Sequence, residues 1–272
     1  MECKAHGAQQ PECTLWYVRI ASTVQRRSPP DKRIDRRARN IKAHPMSPPL
    51  PFARQPVASA EVKAFHDCCL NLLTWPQTMI EFEDVDVWRW IASNHRNNGL
   101  LWDEEDLARR TRAIDSEITA NKRAIDGYNQ ARNDATERVD EFLLLSLGLI
   151  NPATIGTDQP ESMVNATARL SSETAGSMMD RMSIMALKVK AMTAQTVRTD
   201  VDEAHRATTK LKLQRLHDQR NDLGACLDEL LADSRAGRAY FKVYRQFKMY
   251  NDPRFNPVLV AEAKAATQSA QQ

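Results

Sequence analysis

From residue 77 to 151, and again from 161 to 252, the sequence contains no proline, and only six glycines fall in those two stretches together. A chain that can hydrogen-bond its backbone without interruption over such lengths favours long helices. Apolar residues recur at spacings of three and four, and no Val/Ile/Thr run is bounded as a strand would be. The pattern predicts helices near 59–74, 84–110, 112–148, 161–197, 200–235 and 238–250, with breaks at Pro76, around "NPATIGTDQP" (151–160) and at Gly237. No repeat of fixed period is visible, so the expected fold is all-α, a bundle of about five to six long antiparallel helices, rather than a solenoid.

The proline-poor body contrasts with the chain before it. Eight of the thirteen prolines lie before residue 60. Residues 1 to 45 hold ten Lys/Arg against four Asp/Glu, so of 38 and 35 in the whole chain the remainder keeps 28 and 31, a net −3. This basic, Pro-rich leader has no helical or strand period, and disorder is expected over residues 1–57. It lacks the amphipathic helix of a transit peptide and the apolar core of a secretory signal. Met46 reads as an alternative start, which would make residues 1–45 a start-site artefact. The bundle is then expected over 58–258, with a tail at 259–272.

The longest apolar run, "FLLLSLGLI" (142–150), is far shorter than the roughly 18 residues a spanning helix needs. Basic character confined to the leader, with no cationic cluster interleaved with aromatics elsewhere, argues against nucleic-acid binding. Five cysteines without metal-ligand spacing fit a reducing cytoplasm, the expected location. Cys68 and Cys69 lie in an amphipathic helical pattern and read as small hydrophobes, and Met178, Met179, Met182, Met185 and Met192 read as core fillers.

Several helical stripes carry charge where core residues belong. Ile91, His95, Asn98, Trp102, Glu105 and Arg109 share one face. Arg132 sits in a stripe with Ile125, Tyr128 and Val139; Asp180 with Leu170, Ile184 and Leu187; Arg220 with Leu216, Leu223 and Leu227. Buried unpaired charge is costly, so partners are required. Asp180 is expected to pair with Arg220 or Arg132, and Glu105 with Arg109 or a neighbouring arginine. The alternatives are register-fixing ion pairs or a polar pocket lined by His95, Asn98, Glu105, Arg132, Asp180 and Arg220. A second stripe, Asp126, Asn129, Asn133, Glu137 and Asp140, contains no Lys or Arg, and its asparagines are weak helix formers.

The runs "NHRNNGLLWDEEDLARR", "KRAIDGYNQARNDATERVDEFL", "ETAGSMMDRMSIMALKVKAM" and "LQRLHDQRNDLGACLDELLADSRAGRAYFKVYRQFKMYNDPRFNP" resemble the bacterial domain-of-unknown-function family numbered 4254, over about residues 80–257. The resemblance implies a helical bacterial protein without assigned activity, associated with glycosyltransfer and cell-surface polysaccharide genes. Its pattern falls on Trp102, Glu105, Asp106, Arg109, Asp126, Asn129, Arg132, Asn133, Asp134, Asp180, Arg181, Lys188, Arg220, Asp222, Tyr244, Arg245 and Asn251. Asp103 stands where the pattern leads one to expect a histidine.

The residues support two functions. Di-iron chemistry needs two acidic-x-x-His motifs on helices, and only Asp202 with His205 fits. Asp103, Asp106, Glu137 and Asp140 place acidic pairs on consecutive helices, as a Mg²⁺-dependent nucleotide pyrophosphohydrolase would, with Glu105, Asp106, Glu137 and Asp140 as catalytic candidates and Lys122 or Arg109 steadying the leaving group. No Gly-rich phosphate loop or nucleophile elbow accompanies them. The favoured expectation is an accessory or interaction protein without a cofactor, whose cationic surface at Lys242, Arg245 and Lys248 meets an anionic ligand or a protein partner in polysaccharide synthesis.

Overall fold

A computed structural model describes residues 57–80, 82, 86–246, 249 and 252–269. The expected disorder of the leader falls on residues 1–56, outside the described residues. Val57, placed at the leader's end by sequence, is buried in the core.

Six α-helices are present among the described residues: α1 Ser59–Leu70, α2 Val87–Leu107, α3 Asp115–Ser146, α4 Ala175–Thr196, α5 Glu203–Arg235 and α6 Pro257–Ser269. Side-chain caps start three of them. Asp86 accepts from the Trp88 and Arg89 N–H groups ahead of α2, Thr174 and Ser177 form a capping box on α4, and Asp202 accepts from His205 N ahead of α5. Glycines stop the two longest. Gly148 and Gly237 take φ of 68°, and the following N–H groups, Leu149 and Arg238, bond back to the carbonyls of Leu144 and Asp233 at 2.9 Å.

Two expected helices are corrected. Residues 161–174 are irregular and hold a two-residue strand, β1 (Arg169–Leu170), because the Thr174 cap delays α4 to Ala175. Residues 238–246 are extended, beginning with β2 (Ala239–Tyr240), which pairs parallel with β1. Here burial alternates: Ala239, Phe241 and Val243 are buried and Lys242 and Tyr244 exposed, a period of two. Pro257 opens α6, which runs through most of the segment expected as the tail.

α2 and α3 form one antiparallel hairpin, α4 and α5 another. Asn94 meets Thr136 and Glu104 meets Asn121 across the first. Asn94 also meets Asp180, and Trp102 lines a groove with Met192, so α4 runs parallel to α2 and both hairpin turns lie at one end of the bundle. α1 closes the other side, with Ser59 bonded to Asp228 and Asp67 to Arg220. The core draws on Val62, Phe65, Ile91, Val139, Leu143, Leu227 and Leu231. Met178, Met179 and Met182 are buried in it as expected, and Cys69 is buried too, its thiol pushed up by burial. No helix among the described residues is long and apolar enough to cross a membrane.

Candidate functional site

The embedded polar residues converge where α2, α3 and α4 meet. Asn94 and Asn98, one turn apart on α2, both donate to Asp180 Oδ1 at 2.8 Å. Asn94 also donates to Thr136 Oγ1 at 3.0 Å, and Asn98 to Ser183 Oγ at 3.0 Å. His95 Nε2 lies 3.2 Å from the His66 carbonyl, which only accepts, so that nitrogen carries the proton and Nδ1 accepts from the Ser183 hydroxyl at 2.7 Å. Burial holds the His95 pKa down to about 3, so the ring is neutral.

Arg132 supplies the positive charge. Its Nε lies 3.9 Å from Asp180 Oδ1, and its Nη2 donates to Asn133 Oδ1 at 3.3 Å. The pairing of Asp180 with Arg132, one of the two expected, is the one formed. Arg220 is corrected out of the pocket: it is buried beside α1, where it donates to both Asp67 oxygens at 2.8 and 3.1 Å and to the Lys63 carbonyl. Glu105 and Arg109 are outside as well. They form an exposed pair at 2.8 Å, with Lys122 at 4.0 Å, near the hairpin turn. A local (i,i+4) pair satisfies Glu105 without reaching inward. The seam thus keeps His95, Asn98, Arg132 and Asp180 and adds Asn94, Thr136 and Ser183, which the stripes did not single out because short polar side chains carry no charge signal.

Two histidine rings meet at a tilt beside it. The His66 and His95 rings lie 4.3 Å apart, and Trp75 stacks on His95 at 5.1 Å. His66 is fully buried, neither ring nitrogen has a hydrogen-bond partner among the described residues, and burial, His95 and Arg220 hold its pKa well below the ordinary value.

The acidic stripe divides. Asp126 is exposed, Asn129 half-buried, and Asn133 accepts from Arg132 and donates to the Gln246 side chain at 2.7 Å. Glu137 accepts from Arg245 Nη1 at 2.9 Å, and Arg245 also contacts buried Glu141, which accepts further from Arg138 at 2.5 Å and the Gly156 N–H at 3.1 Å. Burial disfavours the Arg245 charge, but these two carboxylates outweigh it and raise its pKa. Asp140 is buried and accepts from the Gly176 N–H at 2.7 Å, opening α4. Burial raises its pKa to about 7, against the hydrogen bonds from Thr174 and Gly176, with Glu137 and Glu141 adding repulsion.

The four proposed Mg²⁺ ligands do not meet. Asp103 and Asp106 flank Glu104, which faces Asn121, whereas Glu137 lies sixteen residues further along α3, about 24 Å at the helical rise. Antiparallel pairing of α2 with α3 therefore carries the pairs apart. Asp103 is raised by burial and by Asp106 and Glu104, and it accepts from Gln77 at 3.5 Å. No group of three or more His, Cys, Asp and Glu able to hold a metal occurs among the described residues. The anion-binding trio is also broken. Arg245 is committed to Glu137 and Glu141, Lys248 lies outside the described residues, and Lys242 stays exposed over the Tyr240 ring at 6.0 Å.

No curated protein and no solved structure matches the chain. Residues 88–243, more than half of the chain, match the family described as "Protein of unknown function (DUF4254)", and they run from the start of α2 to the extended segment after β2, holding the whole polar seam: the chain belongs to that family.

Proposed function

We propose that this protein is an accessory or interaction protein built on a rigid helical scaffold. The observation that carries the reading is that its interior carboxylates are already committed: Asp180 to two asparagine amides, Glu137 and Glu141 to Arg245, and Asp140 to a helix N-terminus. Polar groups satisfied in this way fix helix register, the best-attested use of buried polar residues. The contact surface is the extended segment after β2, where Lys242 and Tyr244 alternate outward from buried Phe241 and Val243. An aromatic ring beside a cation suits a partner's acidic patch.

In the setting implied by the family resemblance, the partner is an enzyme of glycosyltransfer in cell-surface polysaccharide synthesis. Affinity purification of the full chain from its native host tests this. A glycosyltransferase recovered with the wild type and lost with Lys242→Glu/Tyr244→Ala, at unchanged helical circular dichroism, supports the reading. Bound nucleotide and divalent metal without a protein partner would replace it with the hydrolase.

A further inference from the structure

The end of the bundle that carries both hairpin turns is unfinished. Trp102 of α2, Met192 of α4 and Leu216 of α5 line an open groove of about 290 Å³, with Lys188 on its α4 side. Beyond the groove, toward the helix ends, three residues expose large apolar side chains: Leu107, the last residue of α2, by 41%; Ile114, the N-cap of α3, by 64%; and Val197, the C-cap of α4, by 73%. Single exposed apolar residues are ordinary. Several gathered at one end of a bundle, beside an open groove, mark an interaction surface.

The charges on the rims say what fits there. One turn beyond Trp102 toward the open end, α2 carries Asp106 within the run Asp103-Glu104-Glu105-Asp106. One turn before Leu216, also toward the open end, α5 carries Lys212, with Lys188 across on α4. Asp106, Lys188 and Lys212 are exposed and form no ion pair among the described residues. Glu105 is spent on Arg109 and Lys122, so among the described residues the free charges are Asp106 on one rim and Lys188 and Lys212 on the other, opposite in sign and able to complement each other. A two-fold axis through the groove sets the acidic rim of each molecule on the basic rim of the other, while the apolar lips and the Trp102 groove close against each other.

We infer that a second copy of this chain occupies the hairpin end, making an isologous dimer in which Asp106 of one copy faces Lys212 of the other. The inference is independent of the partner reading above, which places its contact on Lys242 and Tyr244, so either can fail alone.

Sedimentation equilibrium of the full chain at about 100 µM, a concentration that saturates a micromolar interface, tests it. The expected mass is twice the 30.9 kDa of one chain, with dissociation promoted by raising NaCl from about 0.05 to 0.5 M. Asp106→Lys alone and Lys212→Asp alone each weaken the dimer by tenfold or more, and the double swap in one chain restores it, because the two-fold contact is re-formed with its signs exchanged. Val197→Glu yields a monomer with unchanged helical circular dichroism. A monomeric wild-type chain overturns the inference. So does a dimer that neither single charge swap weakens, or one that the double swap fails to restore.

Discussion

Gly176 lies directly on Asp140: its N–H donates to the carboxylate at 2.7 Å, and a Cβ at position 176 would stand 2.9 Å from Oδ1 and 2.5 Å from the Thr136 carbonyl. The start of α4 can approach α3 this closely only without a side chain. Gly176→Ala is therefore expected to destabilise by about 1–3 kcal/mol, the range for overpacking, despite the better helix propensity of alanine. Urea unfolding compared with Gly127→Ala, where a Cβ meets nothing within 4 Å, measures it: the second substitution should stabilise.

The same pair sets a pH dependence. Asp140 has its folded pKa raised to about 7, so its contribution is full below the unfolded carboxylate value and is lost as pH rises through 7. Asp140→Asn keeps the acceptor for Gly176 and removes the charge. Its stability relative to wild type should rise between pH 5 and pH 8. An advantage that is flat across that window would show that Asp140 does not titrate there.

His66 and His95 work in the opposite direction. Both are held neutral by burial, so their contribution is complete above about 6.5 and falls away as pH drops toward the lowered folded values. His66 gains nothing from its ring nitrogens, which have no partners among the described residues. His66→Phe should be neutral or stabilising at pH 7.5 and more favourable at pH 5.5, since an unsatisfied buried polar group is removed. His95→Phe should cost about 1–3 kcal/mol at pH 7.5, because Ser183 and the His66 carbonyl lose their partner.

Arg245 holds the extended segment to α3 through two carboxylates, one of them the buried Glu141. Arg245→Met takes the cation from Glu137 and leaves Glu141 with Arg138 and the Gly156 N–H alone, and should cost about 1–3 kcal/mol. Adding Glu137→Gln and Glu141→Gln should recover part of the loss, a coupling that a double-mutant cycle reads directly.

Much of this architecture is legible in the sequence, for particular reasons. The absence of proline sets the long helices, and spacings of three and four place His95, Asn98, Arg132 and Asp180 on faces that do converge. Arg220 is legible as a buried charge but its partner is not, since Asp67 lies 153 residues away in a segment whose pattern gives no sign of the pairing. The segment "AYFKVYRQ" carries mixed signals: aromatic and cationic residues suit a helix, yet Gly237 breaks α5 and alternation governs residues 239–244. Arg245 therefore turns inward to Glu137 and Glu141 instead of outward. The metal reading fails on register, because acidic pairs on consecutive antiparallel helices meet only when equidistant from the turn.

In the proposed reading the seam's carboxylate, Asp180, holds the fold together, and equilibrium urea unfolding of Asp180→Ala puts that to the test. A structural role predicts a loss of about 1–3 kcal/mol at an unchanged m value, because Asn94 and Asn98 each lose an acceptor while keeping Thr136 and Ser183, and Arg132 loses its carboxylate. Carboxylates kept for catalysis tend to sit at the expense of stability, so an unchanged or raised midpoint in that variant would contradict it.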